Sequence, residues 1–179
     1  MKIRVSFKWI LATGLIVCFI LAFPLRGRVR AESDTKPLYG DLTQKEHCMR
    51  NLALSYTHQD IDRFKELLHE RYVYIISEKN TTKTRSRKYI IHAVNYMFDN
   101  ATEISAEITD GEWEPVTRFS GEACPECWST NRKFILRIDS PDIKENGFST
   151  ECRFIVAPVE ASGGVKYKLR GEEGPEFRP

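Results

Sequence analysis

Residues 58–77, HQDIDRFKELLHERYVYIIS, change character near their midpoint. Asp60 is a short acidic side chain of the type that caps a helix by accepting an orphan backbone N–H. Ile61, Phe64, Leu67 and Leu68 then recur at helical spacing on one face. From Tyr72 to Ser77 the chain turns β-branched and aromatic, the composition of a strand. A short helix that runs directly into a strand sets the pattern from which the rest of the fold is read.

Upstream, Thr43-Gln44-Lys45-Glu46 has the form of a capping box, followed by Cys48 or Met49, Leu52 and Tyr56 at helical spacing. Downstream, the basic stretch Lys79–Lys88 reads as a solvated loop. It leads to a third helix whose apolar face is Ile90, Ile91, Val94, Met97 and Phe98. After Asn100 the period falls from about 3.6 to 2. Ile104, Ala106 and Ile108 alternate with polar residues, as do Phe134, Leu136 and Ile138, then Phe148, Cys152, Phe154 and Val156, then Val165, Tyr167 and Leu169. Pro141 to Gly147 and Ser162-Gly163-Gly164 supply turns. The expected class is α+β: three N-terminal helices packed on a curved antiparallel sheet, preceded by an N-terminal hydrophobic helix.

That preceding helix comes from Trp9–Leu25, WILATGLIVCFILAFPL, a run without charge that follows Lys2, Arg4 and Lys8. Residues 1–31 read as a signal peptide, with Ala31 before a cut at Glu32, or as a membrane anchor spanning through residues 9–25. Residues 32–42 read as a linker, 43–173 as the folded domain and 174–179 as a flexible tail. The formal charge of +2 mixes these parts: 1–31 holds six basic residues and no acid, leaving 21 basic residues against all 25 acids. A domain of net charge −4 lacks the phosphate-neutralising surplus that nucleic-acid binding requires. The expected location is exported, periplasmic or extracellular.

The element order resembles the nuclear transport factor 2-like (SnoaL-like) cone. HQDIDRFKELLHERYVYIIS is similar to that family's second helix entering its first strand, SRKYIIHAVNYMFD (86–99) to the helix that closes the cone, and GGVKYKLRG (163–171) to its last strand. The resemblance covers about residues 43–172. It implies a pocket between helices and concave sheet, and it spans both enzymes and non-catalytic binders, so it assigns no reaction. No spacing here matches a catalytic member's motif, and no catalytic residue is carried over.

The polar candidates for such a pocket are His92 and Tyr96, four apart on the third helix. Tyr72, Tyr74, Trp113 and Trp128 are candidates for an aromatic lining. Cys124-Pro125-Glu126-Cys127 allows three readings: a redox pair, half of a zinc site completed by Cys48 and Cys152, or a structural disulfide. Outside the cytosol two bridges, 124–127 and 48–152, fit best. No cofactor or metal is expected. Two functions follow. The first is an exported non-catalytic domain that binds a partner protein or a small apolar ligand, with a homodimer through the sheet as a further expectation. The second is a small-molecule isomerase, dehydratase or hydrolase using His92 and Tyr96, which requires His92 to face a deep cavity.

Overall fold

The computed structural model describes residues 39–78, 81–141 and 147–175. The leader (1–31), most of the linker and residues 176–179 of the tail lie outside the described residues. Helices α1 (Lys45–Thr57), α2 (Ile61–Leu67) and α3 (Arg87–Asn100) accompany strands β1 (Leu68–Glu78), β2 (Thr81–Ser86), β3 (Glu103–Ile108), β4 (Glu114–Phe119), β5 (Glu122–Asp139), β6 (Gly147–Ala161) and β7 (Gly164–Gly174). The strands form one seven-stranded sheet in the order β2-β1-β7-β6-β5-β3, with β4 on the first half of β5. This is the three-helix, curved-sheet α+β arrangement expected. Every pairing is antiparallel except β1 with β7, which makes the sheet mixed.

Asp60 caps α2 as its position suggests, accepting from Arg63 N at 3.0 Å. Leu67 then ends the helix and Leu68 opens β1 with no connecting loop. The capping box at the start of α1 does not form. Gln44 is the cap, without a side-chain bond, and Thr43 turns its hydroxyl to Asp41. Glu46 is drawn instead to a buried guanidinium on β5, a stronger partner than a backbone amide. The basic stretch expected as a loop contains strand β2: Thr81–Ser86 pairs along β1 and leaves Lys83 and Arg85 on a sheet edge, where charge discourages further pairing.

The sheet has two occupied faces. On the helix side, alternate residues of each strand (Tyr72, Tyr74 and Ile76; Phe134, Leu136 and Ile138; Phe154 and Val156) join Leu52, Phe64, Met97 and Phe98 in the main core. On the back, Ile75, Ile155 and Ala157 are covered by the β4–β5 hairpin through Phe119, Cys124 and Cys127. Ser120 and Gly121, both at positive φ, turn this hairpin tightly. Phe119 lies so close over Gly171 that any Cβ there would collide with its ring. Arg170, 5% exposed, ties the hairpin down through Glu122 at 2.6 Å.

Cys124 and Cys127 form the expected disulfide. Opposite Val116 to Arg118, strand β5 carries two more residues than β4, and the bridge closes this bulge with both sulfurs in the back core. The expected 48–152 bridge is absent. Cys48 and Cys152 are buried free thiols facing different neighbours, Cys48 toward the Leu169 backbone and Cys152 against Gly174. Burial pushes both thiols up to about 12, so they stay protonated and inert.

Candidate functional site

Between α3 and the sheet lies a cavity with about 50 Å³ of open space, room for a few waters or the body of a small molecule. Helix α3 contributes Tyr89, Ile90, Ala93 and Val94; β1 contributes Tyr72, Tyr74 and Ile76. Phe134 and Leu136 of β5, Cys152 of β6, Glu172 of β7, Tyr56 of α1 and Arg85 of β2 complete the wall. The wall is apolar apart from four phenols (Tyr56, Tyr72, Tyr74 and Tyr89), one thiol, one carboxyl and the Arg85 guanidinium. That guanidinium stacks 4.9 Å from the Tyr89 ring.

Glu172 enters this wall through a change of phase in its strand. Alternation along Val165, Tyr167 and Leu169 would turn Gly171 inward and Glu172 outward. In β7, however, Leu169 pairs with Val156 while Gly171 pairs with Ile155, so Arg170 is an extra residue. This bulge reverses the phase and sets Glu172 opposite Phe154, on the cone side. Burial pushes the Glu172 carboxyl up to about 7, opposed by a hydrogen-bonding contact from the Tyr72 hydroxyl. No cation contributes to the shift. Burial first, and the Glu172 charge second, hold the phenols of Tyr56, Tyr72 and Tyr74 well above their ordinary range.

The phenols are fixed differently. The ring of Tyr56 is held edge-on by Phe64, Phe98 and Phe134, with centroids at 5.5, 5.6 and 5.5 Å. Among the described residues its hydroxyl makes no hydrogen bond. Tyr74 donates to Pro175 O at 2.5 Å, so its proton is committed while its oxygen can still accept. The arrangement can enclose a small molecule, meet one polar group on it, and exchange a proton with it near neutrality.

Of the six residues anticipated for this pocket, the structure brings together only Tyr72 and Tyr74. His92 is exposed and Tyr96 is 51% exposed, because the cavity side of α3 is the Tyr89, Ala93 and Val94 stripe. Trp113 and Trp128 lie in a separate cluster at the start of α1. There Lys45 Nζ sits 3.3 Å from the Trp128 ring centroid, and Trp113 Nε1 donates to Glu46 at 2.7 Å. Arg132, 2% exposed, pairs with Glu46 at 2.5 and 2.9 Å and also donates to Gly111 O. Burial pushes the Glu46 carboxyl up, but the bonds from Arg132 and Trp113 outweigh it and leave a net lowering. Sequence reasoning missed Glu172, Tyr56 and Cys152. Tyr56 and Cys152 were legible as inward-facing by spacing, whereas Glu172 was hidden by the bulge. Among the described residues no group of three or more His, Cys, Asp or Glu is placed to hold a metal ion.

No family model matches the sequence, and no curated protein matches it. Solved structures do. A nuclear transport factor 2-like protein from Cytophaga hutchinsonii is similar over 73% of this chain and 93% of that one, with a TM-score of 0.52 at 11% identity. A protein of that family assigned as a dehydratase, from Streptomyces avermitilis, is similar over 78% of this chain and 97% of that one, at 0.51 and 8%. One assigned as a scytalone dehydratase, from Novosphingobium aromaticivorans, is similar over 74% and 81%, at 0.52 and 10%. At these identities the likeness is one of fold. The chain has the cone fold of the nuclear transport factor 2-like (SnoaL-like) superfamily.

Proposed function

We propose that this is an exported domain whose cone binds a small, largely apolar molecule carrying one polar group. The observation that carries the reading is the cavity itself: apolar walls, the Glu172 carboxyl among them and a Tyr56 hydroxyl, the first without a counter-charge and the second without a hydrogen-bond partner among the described residues. Polar groups that line an apolar wall and face its open space favour an occupant that supplies their partner. Export is supported by the charged and apolar leader and by the Cys124–Cys127 bridge, which suits an oxidising compartment. A homodimer through the sheet would have to use the part of the back face that the hairpin leaves free, where Asn131, Lys133 and Glu151 are exposed.

The test is NMR of methyl-labelled protein titrated with 1-butanol as a minimal amphipathic probe. Saturable shifts confined to Ile76, Ile90 and Val94, and abolished in Ala93→Phe, are expected. Shifts scattered over the surface, or none, would reject the cone as a binding site. Mass spectrometry of the mature protein separately tests the leader. A chain starting at Glu32 fits a cleaved signal, and an intact terminus in the membrane fraction fits an anchor.

A second reading, proton transfer to a bound molecule, is favoured by a carboxyl that titrates near neutrality inside the cavity. Two of the similar structures are assigned as dehydratases. It places the chemistry on Glu172 and excludes His92, which faces solvent. Turnover of a bound ligand that survives Glu172→Gln unchanged would remove it.

A further inference from the structure

The donor and acceptor capacities left open in the cone point to a ligand class, on the reading that the cone is a binding site. The Tyr74 proton is committed to Pro175 O, which leaves that oxygen only as an acceptor. The Tyr72 hydroxyl is directed to the Glu172 carboxyl. An ionised carboxylate has only acceptor sites, and the Tyr56 oxygen can accept as well as donate. The unused capacity is therefore mostly lone pairs, set against a negative charge that lacks a cation among the described residues.

We propose that the cone takes a small organic cation of the alkylammonium class, its charged head meeting Glu172 beside the hydroxyls of Tyr56, Tyr72 and Tyr74. An ammonium offers three donors and no acceptor, the complement of what these groups leave open. Its charge supplies the missing partner of a carboxylate in an apolar wall, where an ion pair is strong because water is excluded. Aromatic rings around the head add attraction between cation and π-face. Its hydrocarbon end matches Ile76, Ile90, Val94 and Leu136.

The charged and titratable groups facing Glu172 from the surrounding elements fit this assignment. Tyr56 on α1, Tyr72 and Tyr74 on β1, and Cys152 on β6 all stay neutral at physiological pH. Arg85 on β2 lies against the Tyr89 ring and has no part in the Glu172 shift. An anionic ligand would bring a second negative charge to Glu172. A neutral alcohol would fill the apolar part and leave the carboxylate without its counter-ion.

The experiment compares n-butylammonium, 1-butanol and butyrate on the full-length protein with its disulfide intact, by NMR titration and calorimetry. At pH 8 the ammonium is expected to bind at least about tenfold tighter than the alcohol, roughly 1.4 kcal/mol, and butyrate to bind most weakly. In Glu172→Gln the advantage of the ammonium over the alcohol disappears. Should that variant fail to fold, calorimetry of the wild-type protein in buffers of different ionisation enthalpy decides. Near pH 7 ammonium binding should release about half a proton, because a group titrating there is half protonated before the cation arrives. Equal binding of alcohol and ammonium, a preference for butyrate, or no proton release overturns the cationic assignment while leaving the cone a binding site. Absence of cavity shifts with all three probes overturns both.

Discussion

Two clusters on the helix side of the same sheet combine aromatic rings with a carboxylate, and they are built to opposite ends. Strand β5 passes through both: its inward residues run from Trp128 and Arg132 in one cluster to Phe134 and Leu136 in the other. At the start of α1, Glu46 meets Arg132 twice and Trp113 once, while Lys45 covers Trp128. Its donors and acceptors are used within the protein. In the cone, among the described residues, the Glu172 carboxyl has a phenol but no cation and the Tyr56 hydroxyl has no partner, and open space remains between them. Composition does not separate a structural clamp from a site. What separates them is whether the chain satisfies its own polar groups.

The comparison breaks if the clamp can be opened at no cost. Glu46→Ala leaves Arg132, 2% exposed, without its half-exposed carboxylate but with its bond to Gly111 O, and should lower stability by about 2–3 kcal/mol in urea unfolding. The 1-butanol shifts in the cone should be unaffected.

Glu172 should behave in the opposite sense. Its folded pKa of about 7 lies above the ordinary 4.5, so the native state holds the proton more tightly. The associated stability is full below about pH 4.5 and is lost as pH rises through 7. Glu172→Gln should therefore match wild type at pH 4.5 and exceed it by about 2–3 kcal/mol at pH 8 in chemical unfolding. A variant less stable than wild type at pH 8 would mean that the carboxylate has a partner after all.

The back of the sheet sharpens the contrast. The Cys124–Cys127 ring spans four residues, and removing it as Cys124→Ser with Cys127→Ser should lower stability by roughly 2 kcal/mol. Hydrogen exchange should rise in β4 and the first half of β5, while the cone amides stay protected. The smallest effect is expected at the surface of α3. His92→Ala and Tyr96→Phe should each stay within about 0.5 kcal/mol of wild type and leave ligand shifts in place, since both side chains are exposed.

The fold was largely legible because its signals are local. Asp60 before Ile61 and Phe64, the β-branched run after Tyr72, and the period-2 segments after Asn100 each fix an element by residue type and spacing. The site was legible only where alternation was unbroken, as at Tyr72 and Tyr74. Glu172 was not, because a single extra residue at Arg170 inverts the phase of β7, and nothing in the residue types around it announces a bulge. His92 and Tyr96 misled for a related reason. The stripe beginning at Ile90 marks the buried side of α3, and those two residues fall beyond its edge. Glu46 looked like half of a capping box, yet its partner is 86 residues away on β5, beyond the reach of any local pattern.

The central claim is that Glu172 is a carboxyl in the cone wall without a counter-charge among the described residues, and its titration tests this most directly. In carbon-detected NMR of the side-chain carboxyl between pH 3.5 and 9, the account predicts a midpoint near 7 that falls when n-butylammonium is added. A midpoint near the ordinary 4.5, unchanged by the ammonium, would show a solvated or already paired carboxylate and contradict it.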